Sequence, residues 1–407
     1  MGDESVGAMA LSGIRVLDCC TWVAAATGSV LTNMGADVIK VERSVSGDTC
    51  RGFLGRPRII DGQRVYPASY FEVLNCGKRS VALDLNKQGG KEALYRLVKH
   101  SDIFIHNFIP GVAEQLAIDY STLKKFNPRL IYASQSGYGL KGPDRSKPGF
   151  DPLVASRAGF MSTAGEPGRP PLLPPRAVVD QLTALMTACG ILTAIVARER
   201  TGIGQEVHNS LLGSAAWIQR AIFSEYSYTG KLAPKVSRWE TELVNTYQCA
   251  DENWLVLCCL PSDKYWPDLC KALDIESLVT DDRFNSLLSR FHNAGELTSL
   301  LDRIFASHPR DHWLTVLGNL GIPSAPVNDF DELAKDPQMI ENEYIRDFVS
   351  SKKGLVKIIA LPIQMSETPV KAGGRTPELG EHTEQVLIEL GGYNWDEIKE
   401  LRGKEVF

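Results

Sequence analysis

Short apolar segments with the composition of strands alternate with helical patterns along the first third of the chain. The strand patterns cover residues 13–20, 37–42, 80–85, 102–108 and 129–139, and the helical patterns cover residues 27–36, 87–100 and 112–126. Such alternation is typical of strand–helix–strand units, whose strands run parallel and whose connections cross over through helices. The sequence therefore predicts an α/β fold built on an open parallel sheet with helices on its faces.

Open parallel sheets bind ligands beyond the carboxyl ends of their strands. The segment after the first strand is CCTWVAAATG (19–28), which lacks the G-x-G-x-x-G pattern of dinucleotide sites, and the chain contains no G-x-x-x-x-G-K-[ST] phosphate loop. The large domain is therefore expected to be Rossmann-like, without the signature of a nicotinamide or flavin cofactor.

A chain of 407 residues exceeds what one hydrophobic core usually serves. We expect a large Rossmann-like domain that begins with residues 1–225 and a smaller α+β domain over residues 226–328. The segment GIPSAPVND (321–329) resembles a proline-punctuated linker. Residues 329–407 are then expected to form a linker and to return to the large domain.

Composition excludes several classes of protein. The net charge of −5 and the pI near 5.9 argue against a nucleic-acid partner. Nine cysteines occur without a C-x-x-C pair, which predicts reduced thiols and no metal site. The N-terminal residues do not form a secretory signal pattern. We therefore expect a cytoplasmic protein.

The longest apolar run, Leu182–Ala197, has 16 residues with three threonines and is short for a membrane span. It predicts a buried helix and no membrane association. Asp180 stands alone just before this run. An aspartate there is most simply a helix N-cap, whose oxygens accept hydrogen bonds from the first N–H groups. The second interpretation is a reactive carboxylate, because a helix N-terminus favours its ionised form while apolar surroundings raise its pKa. The sequence leaves open which of these effects is larger.

Several blocks along the chain resemble those of one enzyme family. They are GIRVLD, NMGADVIKVER, NCGKRSVALDL, HNFIPG, NPRLIYASQSGYG, TGIGQEV, DDRF and GIPSAPVND. In this order and spacing the chain resembles the class III CoA-transferases over essentially its whole length. The resemblance implies that Asp180 is a nucleophile that carries acyl groups and CoA in turn. It also implies acyl-CoA and carboxylic acid substrates, and no permanently bound cofactor.

The resemblance assigns a CoA site as well. The positions that match it are Val23, Ala24, Arg43, Leu83, Asp84, Leu85, Asn86, Asn107, Phe108, Ile109 and Lys147. An arginine suits the nucleotide end of CoA because a guanidinium can both stack on a base and pair with phosphate.

Two departures bear on the acceptor acid. Formyl-CoA transferases carry glutamine where Val23 stands and arginine where Gln115 stands. The chain is more similar to the subgroup that handles bulkier acids, which includes phenyllactate, 2-hydroxyisocaproate and arylsuccinate CoA-transferases. An apolar acyl pocket is then expected, with walls drawn from Trp22, Phe53, Tyr138, Phe150 and Trp239.

Two alternatives remain at this point. An α-methylacyl-CoA racemase of the same superfamily would need a histidine where the GFD segment has Phe150. A non-catalytic subunit would pair with a homologous active chain. The resemblance further implies an interlocked homodimer, or a heteromer with a homologous subunit.

Overall fold

The computed structural model describes residues 9–52, 58–60, 63–65, 70–350, 354–370 and 374–407. The strands of these residues are β1 Arg15–Asp18, β2 Asp37–Glu42, β3 Arg58–Ile60, β4 Gln63–Val65, β5 Arg79–Ala82, β6 Ile103–His106, β7 Ile131–Ser136, β8 Glu206–Ser210, β9 Val244–Gln248, β10 Trp254–Cys258, β11 Ser324–Pro326, β12 Ile345–Ser350 and β13 Gly354–Ile359.

The α-helices of the same residues are α1 Ala26–Asn33, α2 Tyr70–Asn75, α3 Gln88–Val98, α4 Val112–Gln115, α5 Tyr120–Leu123, α6 Asp151–Arg157, α7 Phe160–Thr163, α8 Val178–Thr201, α9 Leu211–Ile218, α10 Arg220–Thr229, α11 Ser262–Ala272, α12 Leu287–His292, α13 Ala294–Phe305, α14 Arg310–Asn319, α15 Phe330–Leu333, α16 Pro337–Glu341, α17 Thr383–Glu389 and α18 Trp395–Gly403. Three 3-10 turns accompany them, at Trp22–Ala25, Thr49–Gly52 and Glu276–Val279.

The predicted parallel sheet is confirmed. Six strands lie in the order β5-β2-β1-β6-β7-β8, and every neighbouring pair is parallel. The chain first builds outward from β1 through β2 to β5, and then returns to add β6 on the other side of β1. The strand order therefore reverses between β1 and β6, and this is the point at which open α/β sheets bind ligands.

Both faces of this sheet are buried. Val16 and Ile103 face a cluster that includes residues of α1 and α8, whereas the adjacent Leu17 and Phe104 face a cluster that includes residues of α3, α17 and α18. Successive residues of a strand point to opposite faces, so strands covered on both sides are apolar throughout. The C-terminal helices thus complete the second face of the sheet.

The helix predicted over residues 112–126 is not continuous. The chain forms the single-turn helices α4 and α5 instead, with Ala117 between them in the left-handed region at φ 58°. Asp119 then caps α5, because its side chain accepts a hydrogen bond from the Thr122 N–H. A local cap outweighs the helical pattern here.

The described chain divides into two compact units. The first comprises Met1–Phe160, Leu173–Ser224 and Glu341–Phe407, and the second comprises Met161–Leu172 and Glu225–Ile340. In the second unit an antiparallel sheet of order β11-β10-β9 is covered by helices, and its core contains Tyr247, Trp266 and Phe305. This unit is of the α+β class.

Candidate active site

Two loops meet at the reversal point of the sheet. The Thr21 N–H, after β1, donates to Asn107 Oδ1 at 2.9 Å, and Asn107 Nδ2, after β6, donates back to the Thr21 carbonyl at 3.1 Å. The amide of Asn107 therefore ties the ends of two neighbouring strands together. Thr21, Asn107 and Phe108 line two cavities in common.

Buried lysines hold the loop that follows β1. Lys40 Nζ donates to the Cys20 carbonyl at 2.6 Å, and Lys78 Nζ donates to the Ala25 carbonyl at 2.8 Å. Lys78 also forms an ion pair of 2.7 Å with Asp18, and neither side chain is exposed to solvent. Because buried charges are tolerated only when paired and hydrogen-bonded, these contacts define one conformation of the loop.

The larger cavity has a volume of about 580 Å³ and opens at the carboxyl ends of β1, β2, β5 and β6. Seven of the residues that the resemblance assigns to CoA line it, namely Arg43, Leu83, Asp84, Leu85, Asn86, Asn107 and Phe108. Arg43 is exposed, whereas Lys40 on the same wall is buried and forms an ion pair with Asp48 at 2.9 Å. An anion entering this cavity would therefore meet the Arg43 guanidinium.

The smaller cavity has a volume of about 340 Å³ and contains Asp180. Eight other predicted site residues line it, namely Asn107 and Phe108, which it shares with the larger cavity, and Trp22, Val23, Ala24, Ile109, Lys147 and Phe150. Pro110, Pro148 and Leu211 add to its apolar wall. Lys147 forms an ion pair with Asp144 at 2.7 Å. The cavity thus sets one carboxylate against a largely apolar surface.

Asp180 is not the N-cap of its helix, and that prediction is wrong. Helix α8 begins at Val178 after Ala177, which lies in the left-handed region at φ 60° and makes no side-chain cap, so Asp180 is the third helical residue. The cap comes from elsewhere in the chain: Asp151 Oδ2 accepts the N–H groups of Val179 at 2.8 Å and of Asp180 at 3.1 Å. The Asp180 side chain is therefore available to the cavity.

Burial decides the ionisation of Asp180. Its pKa is raised to about 6, first because the carboxyl is desolvated and second because the negative charge of Asp151 repels it. A carboxylate with this pKa is still mostly ionised at pH 7, yet it is more basic than an ordinary aspartate.

Three residues that shape this cavity carry little signal in the sequence, and sequence reasoning did not identify them. Asp151 was not identified because nothing in the segment GFD indicates that its aspartate caps a helix that begins almost thirty residues later. Gly137 and Gly149 line the cavity and touch through their backbones. A Cβ on Gly149 would lie 2.3 Å from the Gly137 Cα, so only glycine fits there. Gly137 stands in the glycine-rich segment SGYG and Gly149 follows a proline in KPGF, which is the only signal the sequence offers.

Two of the five expected pocket aromatics line neither cavity. Tyr138 lines neither cavity; it packs beside Val179 and carries the Arg157 guanidinium 5.2 Å above its ring. Trp239 belongs to the second unit. Phe53 lies outside the described residues.

Two further observations concern ligands and membranes. Within the described ranges, no group of three or more histidine, cysteine, aspartate or glutamate residues could hold a metal ion. Among the described helices, α8 alone has the length and composition of a membrane span, a test that the core helices of soluble proteins also pass. It packs on β7, β8, α1 and α9.

The chain is similar to a family of enzymes over most of its length. The family model described as CoA-transferase family III matches residues 11–383. An acyl-CoA transferase of Fusarium pseudograminearum is 32% identical over 94% of this chain and 85% of its own length. A succinate–glutarate CoA-transferase of Agrobacterium fabrum is 31% identical over 93% of this chain and 95% of its own.

A relative named for an aromatic acid is similar to the same extent. It is the cinnamoyl-CoA:phenyllactate CoA-transferase of Clostridium sporogenes, 29% identical over 96% of this chain and 95% of its own. Among solved structures, a CAIB/BAIF family protein from Brucella suis matches with a TM-score of 0.84 and 31% identity, over 94% of this chain and 99% of that one.

Proposed function

Because the chain belongs to CoA-transferase family III, we propose that Asp180 is the nucleophile that carries CoA from an acyl-CoA to a carboxylic acid. The observation that carries this proposal is the position of Asp180: a carboxylate with a raised pKa in an apolar cavity, next to the larger cavity that would hold CoA. Nucleophilic carboxylates of this kind divide one difficult step into easier ones.

The proposed reaction proceeds by four displacements. Asp180 attacks the thioester carbonyl, forming a mixed anhydride and releasing CoA thiolate. The thiolate attacks the aspartyl carbonyl, giving an aspartyl-CoA thioester and the free donor acid. The acceptor carboxylate attacks that thioester to form a second anhydride and release the thiolate again. The thiolate then attacks the acceptor carbonyl, which yields the new acyl-CoA and regenerates Asp180.

Two properties of the smaller cavity suit these steps. The raised pKa makes Asp180 a more basic nucleophile while leaving most of it ionised at neutral pH. The apolar wall limits water, which would otherwise hydrolyse the anhydride and the enzyme-bound thioester. The energy of the thioester bond is passed on at each step, so the reaction needs no nucleotide and no metal.

The CoA moiety would lie in the larger cavity. Its phosphates would meet the exposed Arg43, and its pantetheine arm would pass Asn107 and Phe108, which line both cavities. Loop backbone around Leu83 and Asn86 would line the remainder. The thioester would then reach Asp180 in the smaller cavity.

For the acceptor we propose a bulky or aromatic organic acid, of the 2-hydroxy acid or arylsuccinate type. Trp22, Val23, Ile109 and Phe150 offer such an acid apolar contact beside Asp180. Val23 and Gln115 stand where formyl-CoA transferases have polar and cationic side chains. The named acids of the relatives range from oxalate to phenyllactate, and the apolar wall supports the latter end of that range.

The decisive experiment is intact-protein mass spectrometry after mixing with a panel of acyl-CoAs. Borohydride or hydroxylamine should trap an adduct that peptide mapping assigns to Asp180, with the largest yield from the natural donor. Asp180→Asn is the matched control and should form none while still binding CoA. A wild-type enzyme that transfers CoA without any adduct at Asp180 would overturn the proposal.

The racemase alternative makes a different prediction. Phe150 lines the cavity where a racemase would place an imidazole. Exchange of the substrate Cα proton in deuterated water, without acyl transfer, would identify that activity instead.

We further propose that the active form is a cytoplasmic homodimer. Helix α10 has no buried residue in the single chain, and both its residue Ile222 and Ile218, the last residue of α9, are exposed. Apolar surface of this kind usually marks an interface.

A further inference from the structure

The first turn of α8 is capped in trans. A helix begins with N–H groups that lack partners within the helix, and a side chain of the preceding residue usually accepts one of them. Here that residue is Ala177, which has no acceptor. The carboxylate of Asp151, the first residue of α6, takes the two N–H groups of Val179 and Asp180 instead.

This contact joins the two acids closely. The accepting oxygen of Asp151 lies 3.1 Å from the backbone nitrogen of the residue whose side chain is the proposed nucleophile. Asp151 is only 7% exposed, so water screens its charge weakly. Repulsion between the two carboxylates is the second cause of the raised pKa of Asp180, after burial.

The other charged and titratable groups of the neighbouring elements do not contribute in this way. The elements packed on α8 carry Arg157 on α6, Tyr132 on β7, and Glu206 and His208 on β8. Lys147 lines the cavity, and Arg176 lies in the exposed segment before α8. The remaining groups, Arg198, Glu199 and Arg200, lie at the far end of α8. Arg157 and Lys147 both form ion pairs with Asp144. Of these groups, none is a cause of the shift at Asp180.

We propose that Asp151 is a positioning residue for Asp180: its carboxylate anchors the first turn of α8, and its charge makes the neighbouring carboxylate a stronger nucleophile. The inference rests on the proposed function of Asp180. The charge of Asp151 also affects the covalent intermediates of the reaction. Acylation of Asp180 removes its charge, so the repulsion present in the resting enzyme disappears in the anhydride and in the aspartyl-CoA thioester. Asp151 therefore favours formation of both covalent intermediates.

The hydrogen bonds from the two N–H groups to Asp151 also affect the basicity of the Asp180 carboxylate. Free N–H groups at a helix start would favour negative charge on Asp180 and reduce its basicity. With both groups bonded to Asp151, that stabilisation goes to the capping carboxylate. The helix start thus holds the nucleophile in place without lowering its reactivity.

Two substitutions separate the cap from the charge. Asp151→Asn keeps a carbonyl oxygen that can accept both N–H groups but removes the charge, whereas Asp151→Leu removes both. The titration of Asp180 can be followed by NMR on protein labelled with carboxyl-¹³C aspartate, with its signal assigned by its loss in Asp180→Asn. This measurement requires no turnover.

We expect the Asp180 midpoint to fall in Asp151→Asn from about 6 in the wild type, while staying above 3.8 because burial remains the larger cause. The rate of adduct formation at pH 7 should fall several-fold, with thermal stability nearly unchanged. Asp151→Leu should lose stability as well, since the helix start is left without an acceptor. Equal midpoints in wild type and Asp151→Asn would overturn the proposal and leave Asp151 a cap alone.

The same experiment distinguishes a failure of the proposed role of Asp180 from a failure of the proposed role of Asp151. If Asp180 is not the nucleophile, the wild type forms no adduct, yet the NMR midpoint still moves in Asp151→Asn. If the positioning role of Asp151 is wrong, the adduct forms normally in both proteins and the midpoint does not move.

Discussion

At the scale of single residues, the decisive quantity is the pKa of Asp180. Two opposing effects act on an aspartate at the start of an apolar helix: the helix dipole lowers its pKa, and desolvation raises it. The structure resolves the competition in favour of desolvation, because the cavity wall is apolar and Asp151 takes the helix N–H groups. The outcome suits a nucleophile better than it suits a structural cap.

The first prediction concerns the pH dependence of transfer. Only the ionised Asp180 is nucleophilic, and its pKa is raised to about 6. The rate of adduct formation should therefore be level near pH 7 and fall about tenfold per unit well below pH 6. Rapid-quench mass spectrometry with one acyl-CoA across pH 4.5–8 measures it. A rate that stays level down to pH 5 would contradict the assignment.

A second prediction concerns stability. Folding raises the pKa of Asp180 above its ordinary 3.8, so the folded state binds this proton more tightly and loses stability as pH rises from 3.8 to about 6. Asp180→Asn removes the charge that burial and Asp151 oppose. It should stabilise the protein at pH 7.5 by up to about 3 kcal/mol, an upper bound that partial solvent screening reduces.

Urea denaturation at pH 4 and pH 7.5 tests this. The gain of Asp180→Asn should appear at pH 7.5 and shrink at pH 4, where the wild-type carboxyl is largely protonated in the folded state. Asp268→Asn, on an exposed position of α11, is the matched control. Equal gains for both variants at both pH values would contradict the prediction.

At the scale of elements, the site is made from segments that follow strands. The loops after β1 and β6 are tied by Thr21 and Asn107, and the loop after β7 meets the segment before α6 at the contact of Gly137 and Gly149. Side chains on these segments converge because parallel strands end at one edge of the sheet. Backbone packing at that edge therefore controls the geometry around Asp180.

The third prediction tests this control. Gly149→Ala would place a Cβ against the Gly137 backbone, which cannot move aside as a side chain could. The segment that leads to Asp151 must then shift, and a displacement near 1 Å at a reacting group can cost about a hundredfold in rate. We expect such a loss in adduct formation together with a lower melting temperature.

The control is another glycine. Gly318 lies in α14, and a Cβ there meets no atom within 4 Å. Gly318→Ala should leave transfer unchanged and add roughly 0.5–1 kcal/mol of helix stability. Full activity in Gly149→Ala would show that the glycine contact does not position the site.

At the scale of the whole molecule, the exposed apolar surface near α10 predicts a contact with another subunit. Ile218 is 50% exposed and Phe223 is 66% exposed. Exposed apolar groups of this size on neighbouring segments are typical of subunit contacts. A second copy of this chain is the partner that the family resemblance implies.

The fourth prediction is therefore a dimer. Sedimentation equilibrium should give twice the chain mass of 44.8 kDa. Ile218→Glu with Ile222→Glu should shift the protein toward the monomer, since charges buried in an interface lose their hydration. Ser299→Glu, an exposed position of α13 in the second unit, should leave the dimer intact. A monomeric wild type would refute the proposed assembly.

The amino-acid sequence determined the class of fold and located five of the six strands of the parallel sheet along the chain. Alternating strand and helix patterns predict parallel units, and the confirmed sheet follows from them because periodicity is a local property of the chain. The family blocks likewise identified the chain as a CoA-transferase and pointed to Asp180.

The tertiary structure decided what local patterns cannot contain. It broke the helix predicted over residues 112–126, placed Tyr138 away from both cavities and brought Asp151 under the first turn of α8. It also raised the pKa of Asp180, because burial and the distance to a second charge depend on segments far apart in the chain. The sequence pointed to Asp180 as the proposed nucleophile, but only the folded chain sets the surroundings of this carboxylate and hence its chemistry.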